Sequence, residues 1–161
     1  MLELMFFLKT INPNKKPTNK VEPKFHEGDW ISGYYTNYKV LSVNNNGYVV
    51  EDVDGSKINI LFENEKFHHL FTIADAKDGD VLATNSGDIC LFDGTVEEGK
   101  YPFAYCGLTR YGFDFYDRTL PFTHDYVYPA TKEQRDLLFQ KMKEARYEWD
   151  SEKKKLKKVN K

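Results

Sequence analysis

Cys106 precedes His124 and Asp125. Thiol, imidazole and carboxylate in that order are the groups of a Cys-His hydrolase, in which a helix start or a nearby cation holds the thiolate. Cys106, however, ends the apolar run Phe103-Ala104-Tyr105-Cys106, which reads as a strand. Cys90 sits in a similar run, Ile89-Cys90-Leu91-Phe92. Both read as small core hydrophobes, and a hydrolase built on Cys106 and His124 is the least favoured function. The histidines are His26, His68, His69 and His124. His68 and His69 are neighbours and face opposite sides of a strand. No cysteine or carboxylate spacing completes a zinc set around any of them. Asp52, Asp54, Asp78, Asp80, Asp88 and Asp93 fall in turns, where turn chemistry explains them. No Gly-rich loop leads into a helix to cradle a phosphate. We expect no catalytic residue, no metal and no cofactor.

Aromatic rings are the more informative set. Aromatic residues make up 16% of the chain, and Trp30, Tyr34, Tyr35, Tyr101, Tyr105, Tyr111 and Tyr116 fall near predicted barrel surfaces. Most such rings belong in small cores or in a seam between them. Tyr34-Tyr35 and Arg110-Tyr111 each adjoin a glycine and a predicted loop, so they are the exceptions. Trp30, Tyr34, Tyr35, Arg110 and Tyr111 are therefore the candidate binding residues. The leading reading is a non-enzymatic binding module with a protein partner. The alternative is a nucleic-acid accessory protein that uses its rings and its lysine-rich end.

These groups must be positioned by strands. Leu, Ile and Ala are sparse beside 12 Phe and 11 Tyr, a bias towards β structure. Gly28-Asp29-Trp30 recurs as Gly79-Asp80-Val81, and Ile31, Tyr38 and Val40 then match Leu82, Ile89 and Leu91. A repeat at this spacing predicts one small β unit used twice. In the first unit Asn44–Gly47 and Asp54-Gly55 are hairpin turns between strands, the former because Asn and Gly tolerate positive φ. In the second, Asp93–Lys100 reads as a polar loop. The fold expected is mainly β: two tandem SH3-like barrels, 24–74 and 75–130, after an arm at 1–23. Residues 131–161 should form a helix over about 132–145 and a short hairpin. Thr131 and Gln134 make a capping box, and Leu138, Met142 and Ala145 one stripe.

The arm carries Pro13, Pro17 and Pro23 among polar residues, the composition of a linker. Met1–Leu8 is apolar but too short to span a bilayer, and it lacks the positive flank of a signal peptide. With two cysteines and no disulfide framework, the expectation is a cytoplasmic protein without a membrane partner. Its oligomeric state is not legible.

Two stretches carry a resemblance. They are Thr72–Ala83, with Asp78-Gly79-Asp80-Val81 inside it, and Tyr128–Val159, with Pro129–Ala145 and then Tyr147-Glu148-Trp149-Asp150. With Gly28-Asp29-Trp30 they resemble a family of uncharacterised proteins of gut Bacteroidales and their phages or prophages. The resemblance covers roughly residues 23–159. It implies a gene on a phage or mobile element and transfers no catalytic residue. It also implies a glycine where this chain has Arg146, and a longer N-terminus of which Met1–Leu8 is a remnant.

Charge argues against nucleic acid. The net charge is −2, the stretch 51–98 is acidic, and residues 152–161 hold six lysines in what reads as a solvated, frayed end. Phosphate contacts supply most non-specific affinity. Binding to single-stranded DNA or RNA at physiological salt should be on the order of 10⁻⁴ M or weaker. Fluorescence anisotropy with a labelled oligonucleotide checks this. Micromolar, steeply salt-dependent binding that vanishes on removal of residues 153–161 would promote the nucleic-acid reading.

Overall fold

The Gly-Asp repeat opens two antiparallel sheets with the same strand order. The structure is a computed structural model and describes residues 21–99, 101–116 and 127–160. Met1–Leu8 and most of the expected arm lie outside the described residues, as do His124 and Asp125. The first sheet holds β1 (Trp30–Ser32), β2 (Asn37–Val43), β3 (Gly47–Asp52), β4 (Lys57–Leu61) and β5 (His69–Leu70). A 3₁₀ helix, Phe62–Phe67, joins β4 to β5. The second sheet holds β6 (Val81–Thr84), β7 (Ile89–Glu97), β8 (Tyr101–Thr109), β9 (Gly112–Phe115) and β10 (Val127–Pro129). The orders are β4-β3-β2-β1-β5 and β9-β8-β7-β6-β10. Each sheet is open, with two edge strands, rather than closed. Helix α1 (Lys132–Glu144) and the hairpin β11 (Tyr147–Asp150)–β12 (Lys155–Lys158) complete the chain. No helix among the described residues is long and apolar enough to cross a membrane.

The repeat is preserved in its hydrogen bonds. Gly28 N donates to the Val40 carbonyl (2.8 Å), and Val40 N donates to the Asp29 carbonyl (2.8 Å). Gly79 N donates to the Phe92 carbonyl (2.9 Å), and Phe92 N to the Asp80 carbonyl (2.8 Å). The Asp29 carboxylate accepts from His26 N and that of Asp80 from Lys77 N, each at 2.8 Å. Gly28 and Gly79 have φ of 92° and 91°, a region closed to most side chains. The aspartates are thus turn-closing acceptors. Val40 corresponds to Phe92, not to Leu91 as the sequence alignment suggests. Pairing of Ile31 with Tyr38 and of Leu82 with Cys90 shows one extra residue in the second unit. A one-residue slip exchanges the faces of a strand. Leu91 accordingly faces away from the side that Phe92 occupies.

The two sheets bury different amounts of surface. Phe25, Ile31, Val40, Tyr48, Val50 and Ile60 form one core on the first sheet. The second sheet is buried on both faces. Leu82, Cys90, Phe92 and Ala104 pack on one side. Val81, Ala83, Ile89, Leu91 and Cys106 pack on the other, under Leu138 and Met142 of α1. This explains why β6 and the start of β7 are continuously apolar rather than alternating. A bulge leaves Tyr105 between the partners of Leu91 and Phe92, so Ala104 and Cys106 face opposite sides.

Several local expectations change. Asn44–Gly47 is a turn, but none of its residues has positive φ. The Asn44 side chain accepts from Asn46 N and Gly47 N instead (2.9 and 3.0 Å). Gly47 is required by space: a Cβ there would lie 2.1 Å from the Ile60 carbonyl oxygen. The expected loop from Asp93 is largely strand, because β7 continues to Glu97 through a kink at Gly94 (φ 83°). The capping box on α1 is present, with Gln134 N donating to Thr131 Oγ1 and Thr131 N to Gln134 Oε1. Ala145 is exposed, because the helix has already ended there. The lysine-rich end is not all frayed. Lys155–Lys158 pair with β11, Leu156 opposite Trp149, and Lys157 forms an ion pair with Asp150. That ion pair, with backbone N–H donors, holds the Asp150 carboxyl down at about 2.

Leu138 is fully buried between α1 and the second sheet. Leu138→Ala should destabilise the protein by roughly 2–5 kcal/mol, through lost transfer energy and the cavity left behind. Urea unfolding measures it; a loss below about 0.5 kcal/mol would mean that α1 is peripheral to folding.

Candidate functional site

A four-residue loop joins β1 to β2, closed by Gly33 N donating to the Thr36 carbonyl (3.0 Å). Gly33 is pressed against His68 and Tyr38, where a Cβ would approach both rings to 3.0 Å. With that corner fixed, the next two side chains project outwards. Tyr34 and Tyr35 are each 88% exposed and meet edge to face, ring centroids 4.6 Å apart. Phe67, 63% exposed, closes the 3₁₀ helix beside them. Gly33, Tyr34, Tyr35, Phe67 and His69 line one shallow cavity. Leu70, 54% exposed, follows on edge strand β5. Large apolar groups left in water side by side are unusual outside interaction surfaces.

The same loop forms one lip of a cleft of about 700 Å³ between the two sheets. Its far wall comes from the Gly79–Leu82 segment, Pro129, Phe139 and Trp149. Most of its charged groups have partners. His69 Nε2 lies 2.8 Å from Asp75 Oδ1. Burial pushes the Asp75 carboxyl up, but the Thr72 N–H and His69 outweigh it and leave it below its usual value. Asp80 is raised by burial, partly offset by the Lys77 N–H and by the charges of Lys77 and Lys154. Arg135 reaches Asp54 at 2.6 Å, tying α1 to the turn between β3 and β4. The cleft is a seam in which His69, Asp75 and Arg135 are held in ion pairs and Asp80 accepts from the Lys77 N–H.

The structure brings together only part of the expected set. Tyr34 and Tyr35 form one surface. Trp30 is half-buried and stacks on Tyr128 across the seam, centroids 6.2 Å apart at 16°. That stack joins the two sheets, and Tyr128 is itself anchored within the second by donating to the Thr84 carbonyl (2.9 Å). Arg110 and Tyr111 occupy the turn between β8 and β9, with the guanidinium 4.7 Å from the ring centroid and 2.6 Å from the hydroxyl. Among the described residues no contact or cavity links that pair to Tyr34 and Tyr35. Phe67 and Leu70 complete the tyrosine surface and escaped sequence reading. They end a polar run, where an apolar residue reads equally as core.

The described groups that suggested metal binding are dispersed, and His124 and Asp125 lie outside the described residues. His68 packs against Tyr38 and its Nδ1 meets the Asn64 carbonyl at 3.1 Å, whereas His69 pairs with Asp75. Among the described residues no three His, Cys, Asp or Glu side chains converge as metal ligands. Both cysteines are free and buried. Burial pushes the Cys106 thiol up to about 12 and raises that of Cys90 further. At neutral pH both are protonated packing groups.

Cys90 and Cys106 should therefore react with Ellman's reagent only as fast as the chain opens. Rapid stoichiometric labelling of the native protein, complete before unfolding, would contradict the burial and restore Cys106 as a candidate nucleophile. No family model, curated protein or solved structure matches the chain.

Proposed function

We propose that the protein is a non-enzymatic binding module that takes an extended segment of a partner protein across the surface of Tyr34, Tyr35 and Phe67. The observation that carries this reading is the pair of 88% exposed tyrosine rings, held by a tight loop beside an exposed edge strand. We read each sheet as an SH3-like unit. Its support is the common order, fifth strand beside first and then second, third and fourth, with a 3₁₀ helix between fourth and fifth in the first sheet. Units of that kind receive extended, proline-bearing segments between aromatic rings, which costs little ordering entropy. Two rigid, mutually packed rings offer large contact area at small conformational cost. The two free cysteines fit a cytoplasmic setting.

A random-peptide display selection on the full chain tests the reading. Enriched peptides should bind with micromolar Kd. The double variant Tyr34→Ala, Tyr35→Ala should weaken them at least tenfold, about 1.4 kcal/mol. Both rings are exposed, so the variant should keep its stability within about 0.5 kcal/mol. Failure to enrich any peptide, or equal binding to the double variant, would count against it.

A further inference from the structure

A second cavity, of about 650 Å³, lies between α1 and the β11–β12 hairpin. Phe139, Met142, Tyr147 and Trp149 give it an apolar lining, with Lys143 and Arg146 at its edge. It shares Phe139 and Trp149 with the far wall of the inter-sheet cleft but no residue with the tyrosine surface, and neither reading depends on the other.

The charges at this groove are unevenly satisfied. Its one acid, Glu148, stands opposite Lys157 in the hairpin register, but the ion pair of Lys157 is with Asp150. Glu144, near the end of α1, is engaged by Lys141 (2.8 Å) and Gln140 (3.1 Å). Among the described residues no hydrogen bond or ion pair occupies the side chain of Lys143 or of Arg146. Two exposed cations without an ion-pair partner therefore border an apolar groove, against the single acid Glu148.

Arg146 adds a second observation. Its φ of 64° is left-handed, a conformation that glycine fills freely and arginine does not. The backbone enforces it: Arg146 N donates to the Lys143 carbonyl, and the Arg146 carbonyl accepts from Val159 N, each at 2.9 Å. A side chain present where glycine would relieve strain points to use of that side chain. A guanidinium presents a planar fork that matches a carboxylate bidentately.

We propose that this groove binds a small amphiphilic carboxylate, its apolar body over Phe139, Tyr147 and Trp149 and its carboxylate at Arg146, with Lys143 adding charge. Both parts are needed. The apolar lining supplies the area, and the cations select the sign of the head group.

Dodecanoate is the probe, kept below its micellar range. The chain has two tryptophans, so Trp30→Phe leaves Trp149 as the reporter in the groove wall. Trp149 emission should change saturably with dodecanoate, with Kd on the order of 10⁻⁴ M, as expected for a ligand of this size. Dodecylammonium, with the same tail and opposite charge, should bind at least tenfold more weakly. Arg146→Gly should weaken dodecanoate at least tenfold while keeping or raising the unfolding temperature, because it removes the strained side chain. Isothermal titration calorimetry on the chain with Trp30 intact gives the same comparison free of that substitution. No saturable binding, equal binding of the two amphiphiles, or unchanged binding by Arg146→Gly would each overturn the proposal.

Discussion

Both sheets depend on one small device, a glycine at φ near 90° followed by an aspartate that closes the turn. The glycine lets the chain reverse so that its N–H and the next carbonyl bond the same residue of the second strand. The carboxylate then takes up an N–H three residues earlier, which the turn would leave unpaired. Once that clamp is set, the first strand has a fixed register on the second. The fifth strand has a fixed place beside the first, where Phe71 N bonds the Trp30 carbonyl and Ala130 N the Val81 carbonyl. Neither member of the clamp is free for chemistry.

This device is why so much of the architecture was legible. Glycine with aspartate leaves a signature that no core substitution blurs, and the capping box at Thr131 and Gln134 does the same for α1. Register was less legible. The extra residue in the second unit is invisible when Leu91 and Phe92 are both apolar. Either could match Val40, and only cross-strand bonds decide. Short elements were hidden for another reason. β5 is two residues long and wholly exposed, so it leaves no hydrophobic pattern. The 3₁₀ helix buries no residue and reads as polar loop.

The candidate site divided along the same line. Tyr34 and Tyr35 were legible because a doubled aromatic beside glycine cannot place both rings in one small core. Trp30 was misjudged because its fate depends on Tyr128, far away in sequence. A ring at a seam and a ring at a free surface look alike until both partners are placed. Cys106 was read correctly from its neighbours, since an apolar strand desolvates a thiol and desolvation disfavours the thiolate.

The asymmetry between the sheets has a consequence for where binding can reside. The second sheet is covered on both faces, so its three central strands, β6, β7 and β8, are fixed by core residues on either side. The first has a core on one face only, and its β1–β2 loop and β5 edge contribute nothing to the other. Aromatic groups can stand exposed there without competing with a core for the same side chains. Trp30 stacked on Tyr128, and Arg135 paired with Asp54, couple that lightly buried unit to the heavily buried one. The second sheet and α1 thus hold the frame, and the first sheet presents the rings. The α1–hairpin groove lies at the opposite end of this division, on the frame itself. Its apolar lining continues the core under α1, and the left-handed Arg146 at its corner sets a charge beside that apolar surface.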